Sequence, residues 1–471
     1  MSTAMIDCTD RHCIIGAGPS GLAQARAFLA AGLPFDIFER HMDVGGLWDI
    51  NNPGTPVYEN THFVSSRRES GFMDFPFPPG GDFPRRDEIF AYLKAFAHAY
   101  GLRKHICFSS TVERVEPQDG FWLVTVRGET RLYRSVVCAS GMHWTPNWPE
   151  IPGTFDGLQR HSIDYRSSEE FRNQRVLIVG AGNSGCDIAT EAARSARAAY
   201  ISMRRGYHFL PKTMFGKPAD VYERENEWIP FRLRQWVFGH MLTILQGDLT
   251  RYGLQKPTHR VLESQPIVNS DILSCFAHGD LHPKPDVERF AGSTVYFVDG
   301  SSIQVDQILY ATGYKAAFPY LDPEHIEWTG HGVSHFMTCF SRKHPNLFTL
   351  GFYEGNAAVF PHLELFAATV AQYLLSQDRN TGQDTLLREI AQKEHGDLRG
   401  PIQMIDSPRH AAYCDWLTFR KRIRKLYRTV GWSMPTANDY TRLRQTQESS
   451  ITYPDRADCD ARSTIPVKHP A

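Results

Sequence analysis

No stretch of these 471 residues approaches the roughly 18 consecutive apolar residues that a membrane-spanning helix needs. Residues 1–10 are polar and lack the apolar core of a secretory leader. Residues 463–471 are polar and contain proline, so no C-terminal anchoring helix is expected. Charge of one sign is also missing. The 51 Lys and Arg balance 52 Asp and Glu, and a net charge of −1 speaks against a nucleic-acid partner. The nine cysteines are scattered and include no Cys-x-x-Cys. Cys13, Cys138 and Cys186 sit in apolar or small-residue contexts, as buried thiols do. A reducing, cytoplasmic setting fits them best. No spacing suggests a metal cluster or a nucleophile triad. His259, His335, His344, His362 and His410 stand alone and read as structural.

What is present is one loop, twice. Gly16-Ala17-Gly18-Pro19-Ser20-Gly21 follows the apolar run Cys13-Ile14-Ile15. Gly180-Ala181-Gly182-Asn183-Ser184-Gly185 follows Val176-Leu177-Ile178-Val179. Each opens a small-residue helix, over residues 22–31 and 186–193. In such a loop the first glycine permits a tight turn. The second lets backbone approach a pyrophosphate, and the third lets helix pack on strand. The free N–H groups of the helix N-terminus then face the phosphates. Two loops predict two dinucleotides, and hence electron transfer.

The residue ending the next strand separates the ligands. A ribose hydroxyl wants an acidic acceptor about 20 residues on. From the first loop, 39 − 16 = 23 leads to Glu39, with Arg40 beside it. From the second, 203 − 180 = 23 leads to Met203, followed by Arg204 and Arg205. Carboxylate repels a 2′-phosphate and Arg binds it, so the second site reads as NADP. Flavin disulfide reductases also pair two such loops, but the Cys8/Cys13 spacing lies too early in the chain to meet a flavin ring.

Length predicts two or three domains. Residues 85–101 read as a helix, with Ile89, Leu93, Phe96 and Tyr100 at helical spacing. Residues 111–126 read as a hairpin, and 135–141 as a strand ending in a small-residue turn. Residues 143–153, rich in Trp and Pro, read as a linker. Asp299-Gly300 marks a hairpin turn, and Ala311-Thr312-Gly313-Tyr314 a second strand-to-turn. Residues 222–252 form an aromatic, basic helical insertion. It reads as a lid or as a subunit contact that would make a homodimer, with a membrane-surface helix as the alternative.

Further motifs coincide with the loops: Phe155-x-Gly157-x3-His161-x3-Tyr165, Gly45-Gly46-Leu47-Trp48, and Asp306-x4-Ala311-Thr312-Gly313-Tyr314. Over residues 11–375 the chain resembles the class B flavin monooxygenases, and within them the flavin-containing monooxygenases. The resemblance implies an α/β fold of two dinucleotide-binding Rossmann-like domains, the NADPH domain inserted into the FAD domain. Residues 1–166 and 310–432 would form the FAD domain, 167–309 the NADPH domain, and 433–471 an irregular tail. Gly16, Gly18, Pro19, Ser20 and Gly21 would hold FAD, with Glu39 and Arg40 at its ribose. Gly46, Leu47, Trp48, Val64, Ser65 and Val112 would complete its contacts. Gly180, Gly182, Asn183, Ser184, Gly185, Ser202, Arg204 and Arg205 would hold NADPH, with Thr312 and Gly313 at the closing turn. His161 would stand near NADP+ in an organising role. No catalytic side chain is assigned, because the cofactor carries the hard chemistry. The family reduces FAD with NADPH and forms a C4a-hydroperoxyflavin with O2. It then oxygenates nitrogen or sulfur in a small molecule.

The chain departs from the family pattern at two places. The family's Tyr-x5-Asn loop has Tyr58 here, but Val64 falls at the Asn position, followed by Ser65. That Asn approaches the flavin and nicotinamide in the family. Phe366 stands where Gln is usual. Val64 and Phe366 are expected to make the active site more apolar, with Ser65 offering a replacement hydrogen bond. The alternatives are oxygen insertion beside a ketone, an NADPH oxidase releasing H2O2, and a non-enzymatic dinucleotide-binding module.

Overall fold

A computed structural model of the chain describes residues 5–394, 396–450 and 464–465. The run before the first glycine loop ends the strand Met5–Ile15, whose last four positions are buried. This strand is central to a parallel sheet. Phe35–Phe38 pairs with one side of it, and Ile106–Cys107 follows. Glu129–Cys138 pairs with the other side, and Leu347–Thr349 follows. The second unit repeats the plan, all parallel, in the order Leu281–Lys284, Ala198–Ser202, Arg175–Val179, Gln307–Tyr310, Leu158–His161. Strands covered on both faces read as continuous apolar runs rather than alternating ones. Phe35–Phe38 and Gln307–Tyr310 are accordingly buried at every position.

The repeat goes further than the loops. Each unit also carries a three-stranded antiparallel meander. In the first it is Val112–Gln118, Phe121–Val126 and Glu129–Cys138. In the second it is Val287–Gly292, Thr294–Phe297 and Ser302–Gln304. The two units are dinucleotide-binding Rossmann-like domains, and the second is inserted into the first.

The strands Gly153–Phe155 and Leu158–His161 pair with Val287–Gly292 and Gln307–Tyr310. The second unit therefore takes up chain ahead of residue 167. The two connections between the units pair as a short ribbon, Thr145–Pro146 against Tyr314–Lys315. The Thr312 hydroxyl donates to the Asn147 carbonyl across it (2.6 Å).

The first loop opens the helix Pro19–Ala31, which packs on the long helix Val359–Asp378. Between them the fully buried Arg26 donates to Asp74 (2.8 Å) and to Glu364. Of the irregular tail expected over residues 433–471, the part Ala437–Ser450 is a helix, and residues 451–463 and 466–471 lie outside the described residues. Its Tyr440 is buried, with its ring 3.8 Å from the Arg26 guanidinium. Composition concealed this helix because its sequence is polar and few apolar residues mark the seated face. Among the described residues, no helix is long and apolar enough to cross a membrane.

Candidate functional site

A cavity of about 1400 Å³ runs between the two units. Both glycine loops open onto it, as expected where crossovers diverge at the carboxyl ends of parallel strands. Of the residues expected to meet the cofactors, all but Gly21 and His161 line it.

The loops are near copies. Gly16 and Gly180 have φ of +104° and +106°, a region that side chains with a Cβ rarely enter. A Cβ on Gly16 would stand 2.7 Å from the Ala139 carbonyl oxygen, and one on Gly180 2.6 Å from that of Ala311. A Cβ on Gly21 would overlap the Gly16 oxygen, and one on Gly185 the Gly180 oxygen. Gly21 thus acts beneath the loop, holding helix to strand, rather than at the cavity wall. Neither helix has a side-chain cap, at Gly18 or Gly182. Their first-turn N–H groups remain for an anion. The residues present fit two pyrophosphates.

The ends of the following strands differ as their sequences do. Glu39 is buried and accepts from the Ala17 N–H (2.6 Å) and the His41 N–H (2.9 Å). Two bonds leave acceptor capacity on a carboxylate that faces the cavity. Burial pushes its pKa up, and those two backbone donors pull against that. At the second site, just beyond the strand, Met203 is buried and Arg204 is exposed. Arg204 makes no hydrogen bond or ion pair among the described residues. Arg205 is half-buried, reaching the Ser264 hydroxyl (3.4 Å) and the Tyr207 ring (5.2 Å). Two expected polar contacts are committed elsewhere. The Ser202 hydroxyl donates to the Pro285 carbonyl (2.8 Å). The Asn183 amide spans the Pro266 carbonyl (3.0 Å) and the Val268 N–H (2.9 Å).

Leu47, Trp48 and Val112 line the first loop's side of the cavity, and the Arg40 guanidinium lies 3.9 Å from the Trp144 ring centre. Val64 also lines it, with 44% of its surface exposed. The Ser65 hydroxyl is paired with that of Ser70 (2.9 Å), so it is not a free replacement for the family's Asn. Phe366 does not belong to the site. It is buried against Phe419 (4.4 Å) and Tyr353 (5.5 Å), on the core face of its helix. Phe360 and Leu363 of that helix reach the cavity instead. The expectation of a more apolar site therefore rests on Val64 alone.

His161 is wholly buried behind the wall, between Trp148 (5.6 Å) and Tyr314 (5.2 Å). Burial pushes its pKa down to about 4, so it is neutral at pH 7. It ends the edge strand and joins the linker ribbon, an organising position without cavity contact. The rest of its motif is structural too. The Tyr165 ring stacks on Phe171 (5.1 Å), and its hydroxyl donates to Glu191.

Other cavity residues carried no sequence signal. Asp187, one turn into the second loop's helix, accepts from the Asn269 amide (2.6 Å) and the Tyr58 hydroxyl (3.2 Å). The latter bond ties the Val64 loop to the second unit. Arg409 and Glu354 come from the end of the first unit. The insertion supplies one wall through Leu233, Val237 and Met241, as a lid would. Its Trp228, Trp236 and Ile244 are exposed.

Two α/β domains with facing glycine loops define a two-dinucleotide oxidoreductase architecture. Residues 9–423 match the family described as "FMO-like: Flavin-binding monooxygenase-like". Flavin-containing monooxygenase 3 of Homo sapiens is 31% identical over 412 residues, covering 81% of this chain and 76% of that protein. The structure of S-allyl-L-cysteine S-oxygenase from Allium sativum superposes with a TM-score of 0.62 at 21% identity, covering 96% of this chain and 94% of that one. A closed form of cyclohexanone monooxygenase gives 0.65 at 16% identity, covering 92% and 100%. The chain belongs to the flavin-binding monooxygenase-like family and is a flavin-dependent monooxygenase.

Proposed function

We propose that the enzyme binds FAD on the first loop and NADPH on the second, and oxygenates a nitrogen or sulfur atom of a small molecule with O2. The observation that carries the cofactor assignment is the unequal pair of strand ends facing one cavity, Glu39 at one and Arg204-Arg205 at the other. The flavin, when bound, supplies electron storage and oxygen activation. The residues of the chain do the rest. Gly16 to Gly21 and Glu39 seat one nucleotide, and Gly180 to Gly185 with Arg204 seat the other. Val64, Phe360 and Leu363 keep one wall dry, and the insertion covers the opening. Excluding water matters because it suppresses wasteful loss of the activated oxygen.

The test is product analysis under ¹⁸O2 with a thioether, a tertiary amine and a cyclic ketone. One labelled atom on sulfur or nitrogen is expected. Label inserted only into the ketone would overturn the substrate class. Arg204→Ala should raise the KM for NADPH about tenfold and leave that for NADH unchanged, as loss of one exposed charged hydrogen bond implies. Equal effects on both nucleotides would refute the 2′-phosphate contact.

Val64 favours a second reading, an oxidase that releases H2O2. Val64→Asn should restore a hydrogen-bonding group at the cavity wall and lower the peroxide formed per NADPH consumed. An unchanged peroxide yield and product spectrum would mean that Val64 does not govern the fate of oxygen.

A further inference from the structure

We infer that Arg409 closes the second glycine loop from the opposite domain, binding the pyrophosphate of the nicotinamide nucleotide. This rests on reading that loop as a dinucleotide site and adds a residue no loop motif contains. Arg409 lies in a short turn, Pro408–His410, ahead of the helix Trp416–Val430. It is therefore chain of the first unit, 409 − 182 = 227 residues beyond the loop it approaches.

Its orientation is set by a fork. Nε and Nη2 donate to the two carboxylate oxygens of Glu354, each at 3.0 Å. This bidentate pair fixes the guanidinium plane and uses one edge of it. Burial raises the Glu354 pKa, and Arg409 more than offsets that, leaving the carboxyl below its ordinary value and ionised. The remaining nitrogen, Nη1, makes no hydrogen bond among the described residues. It stands 3.5 Å from where a Cβ of Gly182 would be. Gly182 is the glycine at which a phosphate comes closest to backbone, so a free, charged donor is aimed at the mouth of an uncapped 13-residue helix.

The turn is held there by the second unit. The His410 Nε2 accepts from the Gln265 N–H (3.2 Å), and the Ile405 N–H donates to the Glu263 carbonyl (2.8 Å). Three residues on from Glu263, the Pro266 carbonyl receives the Asn183 amide of the glycine loop itself. Loop, strap and arginine are thus one connected assembly. An anion at Gly182 would be gripped by backbone N–H groups of one domain and a guanidinium of the other.

The experiment is calorimetric titration of the FAD-loaded enzyme with NADP+ and, separately, NAD+. Arg409→Ala should weaken both by about 10- to 100-fold and leave their ratio unchanged, because both carry the pyrophosphate. Arg409→Lys should recover only part, since it keeps the charge but loses the fork. The double variant Arg409→Met with Glu354→Gln leaves no orphaned carboxylate. It should stay weak while keeping wild-type flavin content and melting temperature. Affinity within twofold of wild type in Arg409→Ala, or full recovery in the double variant, would overturn the inference. Wild-type enzyme that binds neither nucleotide would sink the reading of the loop and this inference with it. Equal wild-type affinity for both nucleotides would sink only the choice of NADPH, leaving Arg409 in place.

Discussion

Gly21→Ala should purify colourless, whereas Gly185→Ala should purify yellow and fail to be reduced by NADPH. The added methyl group is the same in both, and each would overlap the carbonyl oxygen of its loop's first glycine. Relief requires the helix to lift from its strand, which moves the uncapped N–H groups away from the phosphates. On the proposed assignment, in the first loop this removes the FAD seat. In the second it displaces the nicotinamide nucleotide, and a shift of about 1 Å can cost roughly 100-fold in the reduction rate. Dithionite should still bleach Gly185→Ala at the wild-type rate, which shows the flavin intact. Absorbance near 450 nm and stopped-flow reduction check both. Full flavin in Gly21→Ala, or normal NADPH reduction in Gly185→Ala, would contradict the assignment of the loops.

Arg26→Met should lower the stability by about 3–5 kcal/mol at neutral pH, the cost of breaking a buried ion pair from one side. Arg26, Asp74 and Glu364 have side chains about 1% exposed, and they bridge the first loop's helix, the loop at residue 74 and the long helix. The Met73 N–H also donates to both Glu364 oxygens (2.9 and 2.8 Å). Burial pushes the Glu364 pKa up, and Arg26 pulls against that. Without Arg26 the folded-state value rises further above that of the unfolded chain. The folded state then holds the proton more tightly, so stability falls as pH rises through that window and returns as pH drops into it. Denaturant midpoints at pH 5 and pH 7.5 should therefore differ more in Arg26→Met than in wild type, with pH 5 the more stable. Identical midpoints at both values would exclude an ionised Glu364 as the source of the loss.

The architecture was legible because the loops are local. Gly16 to Gly21 and Gly180 to Gly185 each encode a turn, a strand end and a helix start within a few residues. Buried parallel strands also show as apolar runs. The seated helix of the C-terminal segment was not legible, because one buried tyrosine in a polar stretch has no periodic signature. The strand Leu158–His161 was hidden for a related reason. It is an edge strand with two exposed positions, and only its pairing with Gln307–Tyr310 defines it. Counting from a glycine led to Glu39 and Arg204, and both line the cavity. Phe366 and His161 were misplaced because a motif position does not say which way a side chain faces. Phe366 looks into the core, and His161 lies one layer behind the cavity.

By itself the sequence determined that there are two nucleotide loops, that they are unequal, and which amino acid ends each following strand. Those properties follow from short-range geometry, in which a Cβ or a charge is either tolerated or not. Only the tertiary structure decided that both loops open onto one cavity. Only it could show that Asp187 is tied to Tyr58, and that Arg409 is aimed at Gly182 across the domain boundary. Such contacts join residues more than a hundred positions apart. They arise from how two separately folded sheets are seated on each other, and no local pattern records that.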